Sequence, residues 1–206
     1  MRKDFSVWEL AKRNINNEAS TFILNTIKDD RKVHGNRKIL YVCIGTPRLN
    51  GDSFGPMVGN ILSKHLKYIP GCNSEVIGTV KDPVHAVNLE NYRDKITSGD
   101  YFVVGIDASV TKEPFNFITL KQGSFEPGLA TDNRNKNNPL KVGDICCLYN
   151  ISVESFDRNS IVESLQNVSL TELEDKAVFL TQAIINTELA LAKERETNTH
   201  REGRKV

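Results

Sequence analysis

Two short apolar runs each deliver the chain to an aspartate. Residues 39–44 (ILYVCI) lead through the turn-rich segment GTPRLNG to Asp52, and residues 101–106 (YFVVGI) lead directly to Asp107. Neither run alternates polar with apolar residues, which is the pattern of a strand covered on both faces in a parallel sheet. Parallel neighbours need crossover connections long enough for a helix, so these runs call for an α/β chain. Ligands in such sheets collect beyond the carboxyl ends of the strands, where both aspartates are expected.

The intervening chain has the required order. A strand at 39–44 precedes a helix from about 56 to 67, a strand at 75–79, a helix from about 84 to 96 and the strand at 101–106. That is a βαβαβ unit with right-handed crossovers. Pro70-Gly71 and Ser98-Gly99-Asp100 punctuate the helix-to-strand turns. Further strands are expected at 115–120 and 145–151, separated by a loop from Gln122 to Lys141 that holds four Asn, two Pro and two Gly. Connections of that length inside one domain tend to be functional or disordered. Ser169 and Glu172 have capping-box spacing, and Leu173, Ala177, Leu180, Ile184 and Leu191 mark one face of a final helix. Residues 1–36 read as a helical arm with an apolar patch at Phe22, Ile23 and Ile27, broken by charge and Gly35. Residues 37–195 read as one α/β/α domain, and 196–206 as a disordered tail.

At 206 residues and a formal net charge of +1, the chain suits one core, and its charge offers nucleic acid or an anionic membrane no general attraction. No apolar stretch reaches the roughly 20 residues needed to cross a bilayer, and the polar start does not resemble a secretory signal. A cytoplasmic location is expected. Cys43, Cys72, Cys146 and Cys147 have neither zinc nor disulfide-framework spacing, and packing is the favoured reading for the three in strand-like runs.

The segment 45–56 (GTPRLNGDSFGP) joins a buried strand to a helix, with Pro56 suited to the first turn. It lacks the lysine of GxxxxGK[ST] and does not fit GxGxxG, which disfavours a nucleotide loop. Asp52 alone would be read as a helix N-cap, and Asp107 alone as a strand-end residue. As a pair on the first and third strands of a doubly wound sheet they flank the switch point. Two carboxylates brought together share a proton, so one can act on water as base and the other as acid; two acids can also share a divalent metal. His85, after the second strand, falls on the same rim and could support the pair. Thr46 and Asn50 on the first loop, with Gly128 and Lys141 on the long one, are the candidate substrate-binding residues.

The segments CIGTPRLNGDSFGP, GTVKDPVHAVNLE, VVGIDASV, PGLA and NPLKVGDI, in that order, closely resemble the YyaC-type sporulation proteins of spore-forming Firmicutes. The resemblance covers about residues 38–151. It implies kinship with the germination protease, which degrades small acid-soluble spore proteins, and a fold like that of the hydrogenase-maturation endopeptidases: a three-layer α/β/α sandwich with a mainly parallel sheet. It also implies that Asp52 and Asp107 stand at the two proposed catalytic aspartates of the germination protease. The maturation enzymes add a later histidine to hold nickel, whereas here no histidine lies between Asp107 and His200, so a metal site would need His85 in its place.

Three functions follow as expectations. The first is a cofactor-free peptidase with a protein or peptide substrate, the second a non-catalytic peptide or partner-binding protein, and the third a metal-dependent endopeptidase. Assembly with a second copy of the chain is left open by the residues.

Overall fold

The computed structural model describes residues 2–5, 15–112, 116–128 and 139–202. Six strands form one sheet: β1 (Arg2–Phe5), β2 (Lys38–Cys43), β3 (Glu75–Ile77), β4 (Tyr101–Thr111), β5 (Phe117–Gln122) and β6 (Ile145–Ser152). Their spatial order is β1-β5-β6-β4-β2-β3. β3, β2, β4 and β6 run parallel, while β5 lies antiparallel to both β6 and β1. The helices are α1 (Ile15–His34), α2 (Phe54–His65), α3 (Arg93–Thr97), α4 (Arg158–Gln166) and α5 (Leu170–Glu202). The architecture is the expected α/β sandwich with a mostly parallel sheet, and the sheet order reverses between β2 and β4, below the two aspartates.

The two faces of the sheet are covered unequally. Ile39, Tyr41 and Cys43 of β2 and Phe102, Val104 and Ile106 of β4 pack with α1, α2, α4 and α5. The alternate residues Leu40, Val42 and Val103 meet a thinner layer, made of Val84, Leu89, Ile96, Leu140 and Val142. There the sequence pattern suggested one helix over about 84–96. The chain instead forms an irregular stretch, a 3-10 turn at Leu89–Tyr92 and the five-residue α3.

Several boundaries move for identifiable reasons. α1 continues through the charged segment 29–34, because Asp29 pairs with Lys32 and Asp30 with His34 along the helix, and it stops at Gly35 with φ 76°. Ala19, Phe22, Ile23 and Ile27 of the stretch read as an arm are buried in the main core. β1 joins the sheet edge, and α4 begins at Asp157, whose carboxylate accepts the Asn159 and Ser160 N–H groups at 3.0 Å; neither element was anticipated. β4 does not end at Ile106 but runs on to Thr111. α5 extends to Glu202, into the segment read as a tail. Of the long loop, residues 129–138 lie outside the described residues.

Candidate active site

The carboxyl ends of β2 and β4 are out of step, and this offset builds the site. β2 pairs with β4 only as far as Cys43 opposite Ile106, after which Ile44 donates its N–H to the Ile106 carbonyl at 2.7 Å. β4 continues against β6, with Asp107 opposite Leu148. Asp107 is therefore inside its strand, yet at the rim left by the end of β2. On that side Gly45 donates to the Val84 carbonyl at 2.8 Å, which draws the segment bearing His85 against the same strand end.

Beyond Ile44 the chain turns at Gly45, with φ 136°. A Cβ there would lie 1.9 Å from the Asp52 carbonyl oxygen, so only glycine lets the loop close this tightly. Closure is sealed by the Thr46 N–H, which donates both to the Asp52 carbonyl at 3.1 Å and to its Oδ2 at 2.8 Å. Asp52 thus sits in the 3-10 turn Gly51–Ser53 that opens α2 but does not cap that helix; its carboxylate folds back over the loop. α2 is pressed onto β2 at Gly55, where a Cβ would come within 2.1 Å of the Ile44 carbonyl oxygen.

The two carboxyl groups differ in environment. Asp107 is buried, and its one described hydrogen bond is from the Ala108 N–H at 2.8 Å. Burial raises its pKa well above the usual carboxylate range, the nearby charge of Asp52 adds to the rise, and the Ala108 N–H opposes it. Asp52 is half-buried. Burial raises its pKa too, but the Thr46 N–H and the positive charge available on His85 pull it down. Of the residues chosen from the sequence, Asp52 therefore lies within electrostatic reach of both Asp107 and His85, and no direct hydrogen bond joins the three side chains among the described residues.

The other sequence candidates have different surroundings. Thr46 is part of the crevice through its main chain. The Asn50 amide points away from it and donates to the Gln166 and Val168 carbonyls, both at 3.1 Å, tying the loop to the α4–α5 connection. Gly128 is half-buried and Lys141 is exposed. Near them in the chain, Phe125 and Val142 exchange hydrogen bonds at 3.0 and 2.9 Å, and Phe125 covers Gly105, two residues before Asp107 on the same face of β4. This covering of Gly105 by Phe125 was not legible, because it depends on a pairing across 17 residues.

Metal ligation finds little support in the donor set. Among the described residues no group of three or more His, Cys, Asp and Glu side chains is placed to hold a metal ion. Cys43, Cys146 and Cys147 are buried and free, and burial pushes the Cys146 thiol up to about 11. They behave as packing residues.

Residues 8–183 match the family described as Protein of unknown function (DUF1256). The chain belongs to the DUF1256 family. Within it, the "Uncharacterized protein YyaC" of Bacillus subtilis (strain 168) is 32% identical over 164 residues, covering 77% of this chain and 73% of that one. The matched span of the DUF1256 family includes Asp52, His85 and Asp107 together with every strand from β2 to β6, so the crevice is wholly inside the family region. No helix among the described residues is long and apolar enough to cross a membrane.

Proposed function

We propose that the protein is a peptidase of the germination-protease type, acting in the cytoplasm during sporulation on a protein or peptide substrate. The observation that carries this reading is the asymmetry of the acid pair. Burial raises the pKa of the Asp107 carboxyl well above the usual carboxylate range, whereas half-exposed Asp52 is raised by burial to a smaller extent, because a backbone N–H and a histidine pull it back. A pair of acids pushed apart in this way supplies a general acid and a general base at one pH.

In the proposed reaction Asp52 takes a proton from water as the water oxygen bonds to the peptide carbonyl carbon. Asp107 gives its proton to the carbonyl oxygen, forming a neutral tetrahedral diol. Asp52 then returns its proton to the amide nitrogen, Asp107 recovers one from a diol hydroxyl, and the C–N bond breaks. His85 is a positioning residue in this scheme, acting through Asp52. No cofactor is required.

Incubation of the purified protein with small acid-soluble spore proteins, followed by mass spectrometry, tests the reading. Cleavage is expected with the wild type and loss of it with Asp52→Asn and with Asp107→Asn. Unaffected cleavage in either variant would overturn the assignment, and saturable binding without cleavage would transfer the crevice to a carrier role.

A further inference from the structure

A cleft of about 450 Å³ opens at the carboxyl end of β6, between that strand, α4 and the start of α5. It backs onto the loop that bears Asp52. A Cβ on Gly51 would stand 2.7 Å from Ile151 and 3.1 Å from Val168, and both of these side chains belong to the cleft wall. The crevice and the cleft are thus neighbours that share one thin partition.

The lining carries three carboxylates, Glu154, Glu163 and Glu172, and neither lysine nor arginine. Lys176, one turn along α5, is buried behind Glu172 and offsets part of its charge. No ion pair among the described residues engages Glu154 or Glu163. Acidic side chains alone would define only a solvated surface, but two further groups mark a built site. Tyr149 is 2% exposed, with its ring packed on Phe54 at a centroid distance of 5.2 Å, and its hydroxyl lacks a hydrogen-bond partner among the described residues. Asn116 is held at φ 65° with its N–H on the Asn150 carbonyl at 2.8 Å, and its buried Oδ1 has no hydrogen-bond partner.

The buried unsatisfied atom here, Asn116 Oδ1, is an acceptor, and the Tyr149 hydroxyl at the cleft wall can serve either way. A buried polar atom without a partner is costly, so a ligand that supplies donors gains at this site. Lysine ammonium and arginine guanidinium carry donors and no acceptor, and both have an aliphatic stem suited to Tyr149, Ile151 and Val168. We propose that this cleft is the subsite for a lysine or arginine side chain of a peptide bound at the adjacent Asp52–Asp107 crevice, an inference that rests on the peptide-binding part of the reading above.

Two measurements test it. In the first, the wild type acts on a peptide library made by glutamyl-specific digestion of a proteome. Lysine or arginine is expected to be enriched about fivefold at one fixed position from the cleaved bond, the size of one partly exposed charge pair. Glu163→Gln with Glu172→Gln should remove that enrichment, and an acidic or purely apolar preference would overturn the subsite. In the second, a fluorescein-labelled nonapeptide of alanine and serine with a central arginine, and its citrulline twin, are titrated by fluorescence polarisation against Asp52→Asn protein. Tighter binding of the arginine form, weakened by Glu163→Gln and by Tyr149→Phe, supports the subsite even if the wild type cleaves nothing. That outcome would remove the hydrolytic reading alone. Equal affinity for the two peptides, or no binding of either, overturns the subsite.

Discussion

Glu188 and Asp107 are both buried acids, and their surroundings give them opposite characters. Glu188, on α5, is fully buried, yet Tyr41 of β2 donates to its Oε1 at 2.9 Å, Ser74 donates to the same oxygen, and the Cys72 thiol reaches Oε2 at 3.5 Å. Asp107 accepts one described hydrogen bond, from the N–H of its own neighbour, and faces the charge of Asp52. An acid surrounded by donors holds elements together, here α5, β2 and the chain before β3. An acid short of donors keeps its proton and is available for chemistry. The number of partners, more than burial, separates the structural carboxylate from the candidate catalytic one.

The sharpest break between them should come from neutralising each acid. Asp107→Asn or Asp52→Asn is expected to lower peptide turnover by about 10³-fold or more, equivalent to about 4 kcal/mol in the barrier, with the far-ultraviolet dichroism of the wild type retained. Glu188→Ala should do the reverse. It leaves the Tyr41 and Ser74 hydroxyls unpaired beside a void, so urea denaturation should show a loss of about 2–4 kcal/mol. Turnover per folded molecule should hold. A collapse of turnover in folded Glu188→Ala protein would erase the distinction.

Gly55→Ala probes the seam between the two regions. The added methyl meets the Ile44 carbonyl oxygen at 2.1 Å, so the start of α2 must move off β2, at a cost of about 1–3 kcal/mol by thermal or urea unfolding. The same movement displaces the turn holding Asp52, so turnover should fall along with stability. Stability lost with turnover intact would show that the crevice tolerates the shift.

The smallest expected effect is on pH dependence, and it also has a sign. In an unfolded chain an aspartate titrates near about 3.9. Folded Asp107 keeps its proton well beyond that, so between the two values the folded state binds more protons than the unfolded one. Stability is therefore lost as pH rises from about 4 through the folded value. Asp52, also raised, contributes with the same sign. Glu75 and Asp157 are lowered by their partners and act oppositely, so the informative quantity is the difference from Asp107→Asn. The melting temperature of that variant should exceed that of the wild type by a margin that widens with pH. A constant margin would mean that Asp107 does not titrate in this range.

Glu188 also shows where the sequence could have been read further. The apolar face of α5 was drawn through Leu180, Ile184 and Leu191, and position 188 falls on that stripe, where the spacing asks for an apolar residue. A glutamate there is a legible signal of a buried polar contact, although its partners on β2 and before β3 are not. Asn50 shows the converse. Its place beside Asp52 suggested a substrate contact, but residues 166 and 168, remote in the chain, claim its amide.

The uninterrupted apolar runs before Asp52 and Asp107, separated by crossover-length segments, were enough to establish from sequence alone a parallel α/β sheet with both acids at its carboxyl rim. Those properties depend on local periodicity and connection length, which one chain displays directly. Only the tertiary structure decided that β4 outruns β2, that Asp107 is buried while Asp52 is half-exposed, and that Tyr149 and three glutamates line a cleft behind the Asp52 loop. Burial and charge at each carboxyl depend on which distant side chains arrive beside it, and strand pairing across many residues makes that choice.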